Sequence, residues 1–577
     1  MANHFPASFD NDDANVATGP QGQIAHRGHL THTERLERRL WAPRPGVWSV
    51  VGNGLSNQNF IEGPEGLICV DTGESNQEMA WSLTEVRKHT DAPVVAVLYT
   101  HFHYVGGTRA VFDEAGEVPI WGHTGIEGNL QRIGGEVSAA AQRGLVHQMA
   151  ILMPTEGPDA TVNLGLGKEF RHPDHAPYTR EVLLPTETFD EAVTLSIAGL
   201  IVEVTPAPSD ADDSVTFWFP ELGVAVNNIL WPALFNVFAI RGEEYRDPRA
   251  LLTGLDHLAS LGADHLVGTH GPPISGAERI AQDIEEYRDS IQFMWDQTVR
   301  GLNRGLTVDE LTQSVQLPDP YQRTYLTHQY YGLVEHHVRQ IHAGLRGWFD
   351  GHEALLFPVP PIERVQKLIA GFGGAVEVRA QAHRALDDGD LRWALELATW
   401  LVRGEVDGKG RIDGGTAQDR SLLASVLRAI AQRTTSANAR NWCLTRALEL
   451  DGLLDLGRFR VHRFGRGEVL ANPPEVYVRA LRVVLDPERA EGVNEHLRWE
   501  FADGTRVGVH VRRQVAVPTD GSGAELAIGL DLETWAEILA GKLTLTEAVA
   551  SGAVRLSGDE ERVLRLLGSF DHPTLGV

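Results

Sequence analysis

Ala96-Val-Leu-Tyr-Thr-His-Phe-His-Tyr-Val-Gly-Gly-Thr108 joins an apolar run to a pair of histidines. Val94, Val95 and Val97 lead into Leu98 and Tyr99 as a buried strand does, and two histidines spaced i, i+2 follow at once. His101 and His103 then stand where a strand gives way to a loop. Both imidazoles can turn toward one point there, which is what a metal ion requires of its ligands. The plain alternative is two histidines in a polar loop, and the surrounding chain decides between them.

A chain of 577 residues is too long for one core and predicts three or four domains. Apolar residues make up 42% and charged residues 22%, which describes a globular protein rather than a disordered or membrane one. The formal charge of −27, from 78 acidic and 51 basic residues, argues against non-specific nucleic-acid or anionic-membrane binding, although a local basic pocket for an anion stays open. The two cysteines, Cys69 and Cys443, lie far apart and suggest neither a disulfide framework nor a thiolate metal site. Residues 1–14 lack the basic and apolar regions of a secretory leader, and no run of about 18 apolar residues could span a bilayer. The expected location is cytoplasmic.

Residues 1–30 are polar and rich in Gly, Asn and Asp, which predicts a draped N-terminal arm. From about 31 to 277, β-type and helix-type runs alternate as in a layered α/β domain. Residues 122–195 form an insertion within it. Their Asn163-Leu-Gly-Leu-Gly-Lys168 segment reads either as an anion-cradling loop or as an ordinary turn. From 278 to 455 the pattern is helical, with an αα-hairpin expected at Asp388-Gly-Asp390. Residues 470–577 alternate apolar positions at Leu497, Trp499, Phe501 and Val507, Val509, Val511 about a turn at Asp503-Gly504, and add helices with apolar faces at Trp535, Ile538 and Leu539. That pattern predicts an α+β unit with an apolar face, which reads either as the lining of a hydrocarbon cavity or as a plain structural core.

Two further stretches frame the histidine pair: Asn57-Gln-Asn-Phe-Ile-Glu-Gly-Pro-Glu-Gly-Leu-Ile-Cys-Val-Asp-Thr-Gly73 upstream and Gly268-Thr-His-Gly-Pro-Pro273 downstream. In this order the three resemble the opening hairpin and strand end, the H-x-H motif and the last histidine loop of the metallo-β-lactamase fold. Gln329-Tyr-Tyr-Gly-Leu-Val-Glu-His-His-Val-Arg339, Gly347-Trp-Phe-Asp-Gly351 and Pro358-Val-Pro-Pro361 resemble the helical dimerisation domain of alkylsulfatases. Residues 470–577 resemble the sterol-carrier-like domain that ends those enzymes. The resemblance thus implies a multidomain homodimer: an αββα metallo-β-lactamase domain, an all-α dimerisation domain and an α+β lipid-binding domain.

For the site, the resemblance implies a first metal position held by His101, His103 and a carboxylate from Thr205-Pro-Ala-Pro-Ser-Asp-Ala-Asp-Asp-Ser214. Counting back from Phe219-Pro220 gives Asp210, with Asp212 and Asp213 open alternatives. The second position departs from the family. The Asp-His pair that follows H-x-H is missing, Asn227-Asn228 stands where a bridging carboxylate is expected, and only His270 is retained. An amide is a poor ligand beside a carboxylate. The expectation is therefore one divalent ion per chain, Zn²⁺ first and Fe²⁺ as the alternative, with His270 as a further ligand candidate. Tyr104 reads as a proton donor or as packing, Asn228 as a site amide, and Arg241 as an anion-binding guanidinium or a surface ion pair.

Hydrolysis of an alkyl sulfate ester, a small molecule with an apolar portion, is the activity implied. A non-haem Fe(II) oxidoreductase and a non-catalytic lipid carrier are the rivals, and metal analysis separates the three.

Overall fold

The computed structural model describes residues 8–134, 137–404, 414–460, 464–470 and 472–576; the first seven residues of the expected arm lie outside the described residues. Tertiary contacts divide the chain into two compact units, 1–125 with 144–455, and 126–143 with 456–577.

The first unit holds two large sheets. One has seven strands in sequence order: β3 (Arg39–Arg44), β4 (Val47–Val51), β5 (Gln58–Gly63), β6 (Gly66–Val70), β7 (Val94–Leu98), β8 (Ile120–His123) and β9 (Glu187–Phe189). A small antiparallel hairpin, β1 (Val16–Thr18) and β2 (Ile24–His26), precedes it. The second large sheet has six strands: β10 (Val193–Ile197), β11 (Leu200–Pro206), β12 (Val215–Phe219), β13 (Val224–Asn227), β14 (His265–Gly268) and β15 (Ile274–Ser275). Ile68, Val70, Ala96 and Leu98 of the first sheet share an apolar cluster with Val204, Phe217, Val226 and Val267 of the second, so the inner faces make one dry layer. Helices Asn76–Val86 and Thr108–Ala115 lie with the first sheet. Helix Pro248–Ser260 turns Leu251, Leu255 and Leu258 toward Ala225 and Leu266 of the second. This is the expected αββα sandwich.

The chain takes this form because its central strands pair in parallel, β6 with β7 and β7 with β8, and a parallel strand buried on both faces needs an almost unbroken apolar run. Cys69 lies in β6, wholly buried, and Cys443 is buried elsewhere; both are free thiols.

Residues 16–32 depart from the draped arm. They fold into the hairpin and a short helix, Arg27–His32, because His29 and His32 have interior partners. The His29 ring meets Asn163 Oδ1 at 3.1 Å, and His32 Nε2 donates to the Gly165 carbonyl at 2.8 Å. The Gly-rich segment is thereby settled as a turn: Leu164 N–H is taken by Gly167 O, Gly165 N–H by Asn163 Oδ1, and Lys168 Nζ by Glu37 at 2.8 and 3.0 Å. Burial holds the His32 pKa down at about 4, against 6.5 for a free imidazole. A group depressed in the folded state contributes stability above its unfolded pKa and loses it as pH falls toward the folded one. Denaturant titrations should therefore show stability falling between about pH 6.5 and 4, by a few kcal/mol, and a His32→Gln variant should flatten that slope.

The helical segment includes the expected hairpin, Ala375–Asp387 and Leu391–Arg403, turning at Asp388-Gly389-Asp390. No boundary separates it physically from the sandwich near residue 277: one apolar cluster runs from Leu55 and Trp231 through Ile284 and Val338 to Leu450.

The second unit contains a five-stranded sheet in the order β18 (Val515–Thr519), β17 (Arg506–Arg512), β16 (Asn494–Phe501), β19 (Leu526–Leu530) and β20 (Arg555–Ser557). Its alternation holds as read: Leu497, Trp499, Phe501, Val507, Val509 and Val511 all point inward. The cavity lining is a different matter. Trp535, Ile538 and Leu539 are wholly buried against the domain's own core, with the Trp499 and Trp535 rings 6.1 Å apart. Amphipathic patterning marks a face to be covered, and here the sheet covers it. No described helix is long and apolar enough to cross a membrane.

Candidate metal centre

β7 ends at Leu98, and a single 3₁₀ turn, Phe102–Tyr104, throws His101 and His103 to the same side. Two glycines allow the turn to sit close: a Cβ on Gly107 would lie 2.2 Å from the Thr72 carbonyl and one on Gly106 2.8 Å from that of Glu74. The third side chain comes from the other sheet. The loop between β11 and β12 is closed by Ala207 N–H to Ser214 O and Ser209 N–H to Ala211 O, leaving Asp210 at its tip. Val215 N–H then donates to Thr100 O at 2.9 Å and ties that loop to the histidine segment.

His101, His103 and Asp210 offer ligand atoms that all lie within 4.8 Å of one another. Asp210 Oδ2 is 3.1 Å from His103 Nδ1 and 3.7 Å from His101 Nε2, yet neither buried nitrogen has a hydrogen-bond partner. Donors about 2.0–2.2 Å from one ion stand roughly 3–3.5 Å apart. Two orphaned ring nitrogens facing a carboxylate at that spacing fit a divalent cation.

Outer partners fix the tautomers that coordination needs. His101 Nδ1 lies 2.8 Å from Thr100 Oγ1, whose own proton goes to Asp71 Oδ2 at 2.7 Å; Nδ1 therefore carries the hydrogen and Nε2 is bare. On His103, Nε2 faces Glu243 Oε1 at 3.4 Å, which leaves Nδ1 for the metal position. Asp210 Oδ1 accepts from Asn228 Nδ2 at 2.6 Å, so Asn228 aims the carboxylate. Asn227 is spent on its own loop, accepting from Ile229 and Leu230 N–H.

The electrostatics follow from burial and the two carboxylates. Burial pushes His101 down to about 3. Burial also opposes charge on His103, but Asp210 and Glu243 outweigh it and raise its pKa to about 9. The same pairing with His101 and His103 overrides the desolvation of Asp210 and holds it well below the carboxylate range. Taking up a cation in place of the His103 proton neutralises the same two carboxylates.

His270 stands apart from this trio. Its Nδ1 donates to Leu55 O at 3.0 Å, so Nε2 is an acceptor and takes the Tyr104 hydroxyl at 3.3 Å. Asn57 holds the histidine loop in place, donating to the carbonyls of Gly268 at 2.9 Å and Gly271 at 2.7 Å. Tyr104 thus neither packs idly nor points at solvent; it caps His270. Trp231 lies edge-on to His270 and to Tyr331, a residue of the helical segment that backs the site.

Arg241 belongs to an interior ion pair rather than a surface one. Glu243 bonds the terminal nitrogens of both Arg241 and Arg246, and all three side chains are nearly buried. Asp71, Thr100, Glu243 and Arg246 were not singled out in the sequence. Asp71 lies in the quoted Val-Asp-Thr-Gly73 end, and Arg241-Gly-Glu-Glu-Tyr-Arg246 shows the charge cluster but not its burial.

Comparison with known proteins gives the family. Residues 307–452 match a family model described as alkyl sulfatase dimerisation, and residues 468–576 one described as alkyl sulfatase C-terminal. A linear primary-alkylsulfatase of Pseudomonas sp. is 33% identical over 532 residues, spanning 89% of this chain and 98% of that protein. The alkyl/aryl-sulfatase BDS1 of Saccharomyces cerevisiae is 28% identical over 545 residues, or 91% of this chain and 81% of its own. Among solved structures, the stereoselective inverting sec-alkylsulfatase Pisa1 from Pseudomonas sp. superposes over 100% of this chain and 94% of that one with a TM-score of 0.81, at 24% identity, which speaks to the fold. A relative one-third identical along almost its whole length, on a sandwich that brings two histidines and an aspartate to one point, makes this chain a member of the alkylsulfatase family of hydrolases.

Proposed function

We propose that this protein hydrolyses alkyl sulfate esters at a centre holding one divalent ion, Zn²⁺ before Fe²⁺, on His101 Nε2, His103 Nδ1 and Asp210 Oδ2. The observation that carries the reading is the pair of orphaned imidazole nitrogens facing Asp210. A bound ion supplies Lewis acidity and, from water, a nucleophile near neutral pH. The rest is done by side chains of the chain itself. Asn228 orients Asp210, Thr100 and Glu243 hold the two imidazoles in their coordinating tautomers, and Arg241 with Arg246 sets positive charge where a sulfate group arrives. Entry is from the side of His103, Arg241 and Glu243, which keep 12–14% of their side-chain surface exposed while His101 keeps none. The test is release of inorganic sulfate from a series of linear alkyl sulfates by protein purified without chelator. Absence of release by metal-replete protein refutes the proposal.

The working form we infer is a homodimer. Within the stretch matching the dimerisation model, Trp348, Phe357 and Val376 are 70%, 87% and 77% exposed, and Leu356 is 48% exposed. Large apolar side chains left in water at this density mark a surface that another protein covers. Sedimentation at micromolar concentration should give a dimer, and Trp348→Asp combined with Phe357→Asp should give a monomer.

A further inference from the structure

Glu243 is an unusual neighbour for a site that receives an anion. Its Oε1 bonds Arg241 Nη2 and its Oε2 bonds Arg246 Nη2, so the protein's own carboxylate already sits between the two guanidiniums. The Arg246 guanidinium and the Arg241 backbone are held further. Arg246 Nη1 donates to Asn236 O at 2.7 Å, and the Arg241 backbone N–H donates to Gln148 Oε1 at 3.1 Å. Both nevertheless keep an unspent donor, since the Nε atoms of Arg241 and Arg246 are buried without a partner.

We propose that Glu243 is the specificity-determining residue that restricts this site to esters bearing one negative charge. The inference rests on the sulfate-ester reading above and adds a selection among oxyanion esters. Charge has to balance among side chains that keep no more than 14% of their surface exposed. The two guanidiniums cancel the carboxylates of Asp210 and Glu243, and a divalent ion set against the third buried carboxylate, Asp71, which accepts two hydrogen bonds from Thr100, leaves one positive charge. A sulfate monoester brings one negative charge, which closes the balance. A phosphate monoester, doubly charged at neutral to alkaline pH, overshoots it by one, and buried surroundings penalise an uncompensated charge heavily. Glu243 thus acts as the repulsive element that specificity requires, while its contacts preserve the arginine pair for the weaker anion. Exchanging its carboxylate for an amide shifts the balance point to the dianion.

The experiment uses full-length, metal-loaded protein and two ligands that cannot be hydrolysed, because carbon is bonded directly to sulfur or phosphorus: hexanesulfonate, a monoanion, and hexylphosphonate at a pH where it is a dianion. Calorimetry gives the two dissociation constants and elemental analysis the metal content of each variant. Wild type should favour the sulfonate by about tenfold or more. Glu243→Gln should bring the ratio to near one or invert it, by tightening the phosphonate, while Glu243→Asp keeps the wild-type preference. An unchanged ratio in Glu243→Gln, with the sulfonate still bound, overturns the proposal. The amide oxygen of Glu243→Gln can still accept from His103 Nε2, so the metal should stay, and its loss from that variant also overturns the proposal. Failure of wild type to bind the sulfonate at all removes the sulfate-ester reading and this inference together.

Discussion

Replacing His103 by Ala should empty the metal centre. Protein purified without chelator should carry close to one ion per chain, and the variant almost none. Three donors converge here, and a cation held by two of them, with the His103 Nδ1 position vacant, has too few ligands to compete with water. The loss in affinity should exceed the roughly 10- to 100-fold that removal of an outer partner costs. The fold should survive, because the His103 ring is not part of either apolar cluster of the first unit. Elemental analysis beside a thermal melt checks both halves. Two tightly held ions in the wild type, or a full site in the variant, would show that the centre has been misplaced.

Asp71 carries the second large effect, and it acts at a distance from the ion. Its Oδ1 accepts the Thr100 N–H at 2.8 Å and its Oδ2 the Thr100 hydroxyl at 2.7 Å. Burial raises its pKa to about 7, against those hydrogen bonds. Asp71→Asn puts a donor where the Thr100 proton must go. That proton then turns onto His101 Nδ1, the imidazole shifts its own hydrogen to Nε2, and the coordinating lone pair is lost. Metal affinity should fall about 10- to 100-fold with little change in melting temperature. Asp71→Ala instead leaves the buried Thr100 N–H and hydroxyl unpaired and should also cost about 1–3 kcal/mol for each. An Asp71→Asn protein that binds metal as well as wild type would break the proposed relay from Asp71 through Thr100 to His101.

The parts of this site that could be read from sequence are those whose signal is contiguous. His101 and His103 follow a five-residue apolar strand directly, and the strand is real, Val94–Leu98. Asp210 was reached by counting from the next strand, and the loop geometry favours it over Asp212 and Asp213 because only Asp210 joins the two histidines. Glu243 and Arg246 were missed because charges spaced this closely are equally typical of a solvated loop; only tertiary packing turns them inward. The Thr100 hydroxyl was invisible for the same reason, being one threonine among many until Asp71 folds beneath it. The apolar face of the C-terminal unit was legible in the opposite sense. Trp535, Ile538 and Leu539 do form an apolar face, but sequence periodicity cannot tell a face that meets a ligand from one that meets Trp499.

The apolar cluster that passes from Leu55 through Ile284 to Leu450 bears on how such a protein can be recombined. Family boundaries drawn on the sequence invite a cut between sandwich and helices, yet Trp231 and Tyr331, on opposite sides of that cut, share one contact behind His270. A gene fragment ending near residue 277 would encode every metal donor and still lack the wall they lean on. Exchange of substrate preference between relatives should therefore succeed by grafting loops, such as the one bearing Arg241 and Glu243, and fail by swapping whole segments at that seam.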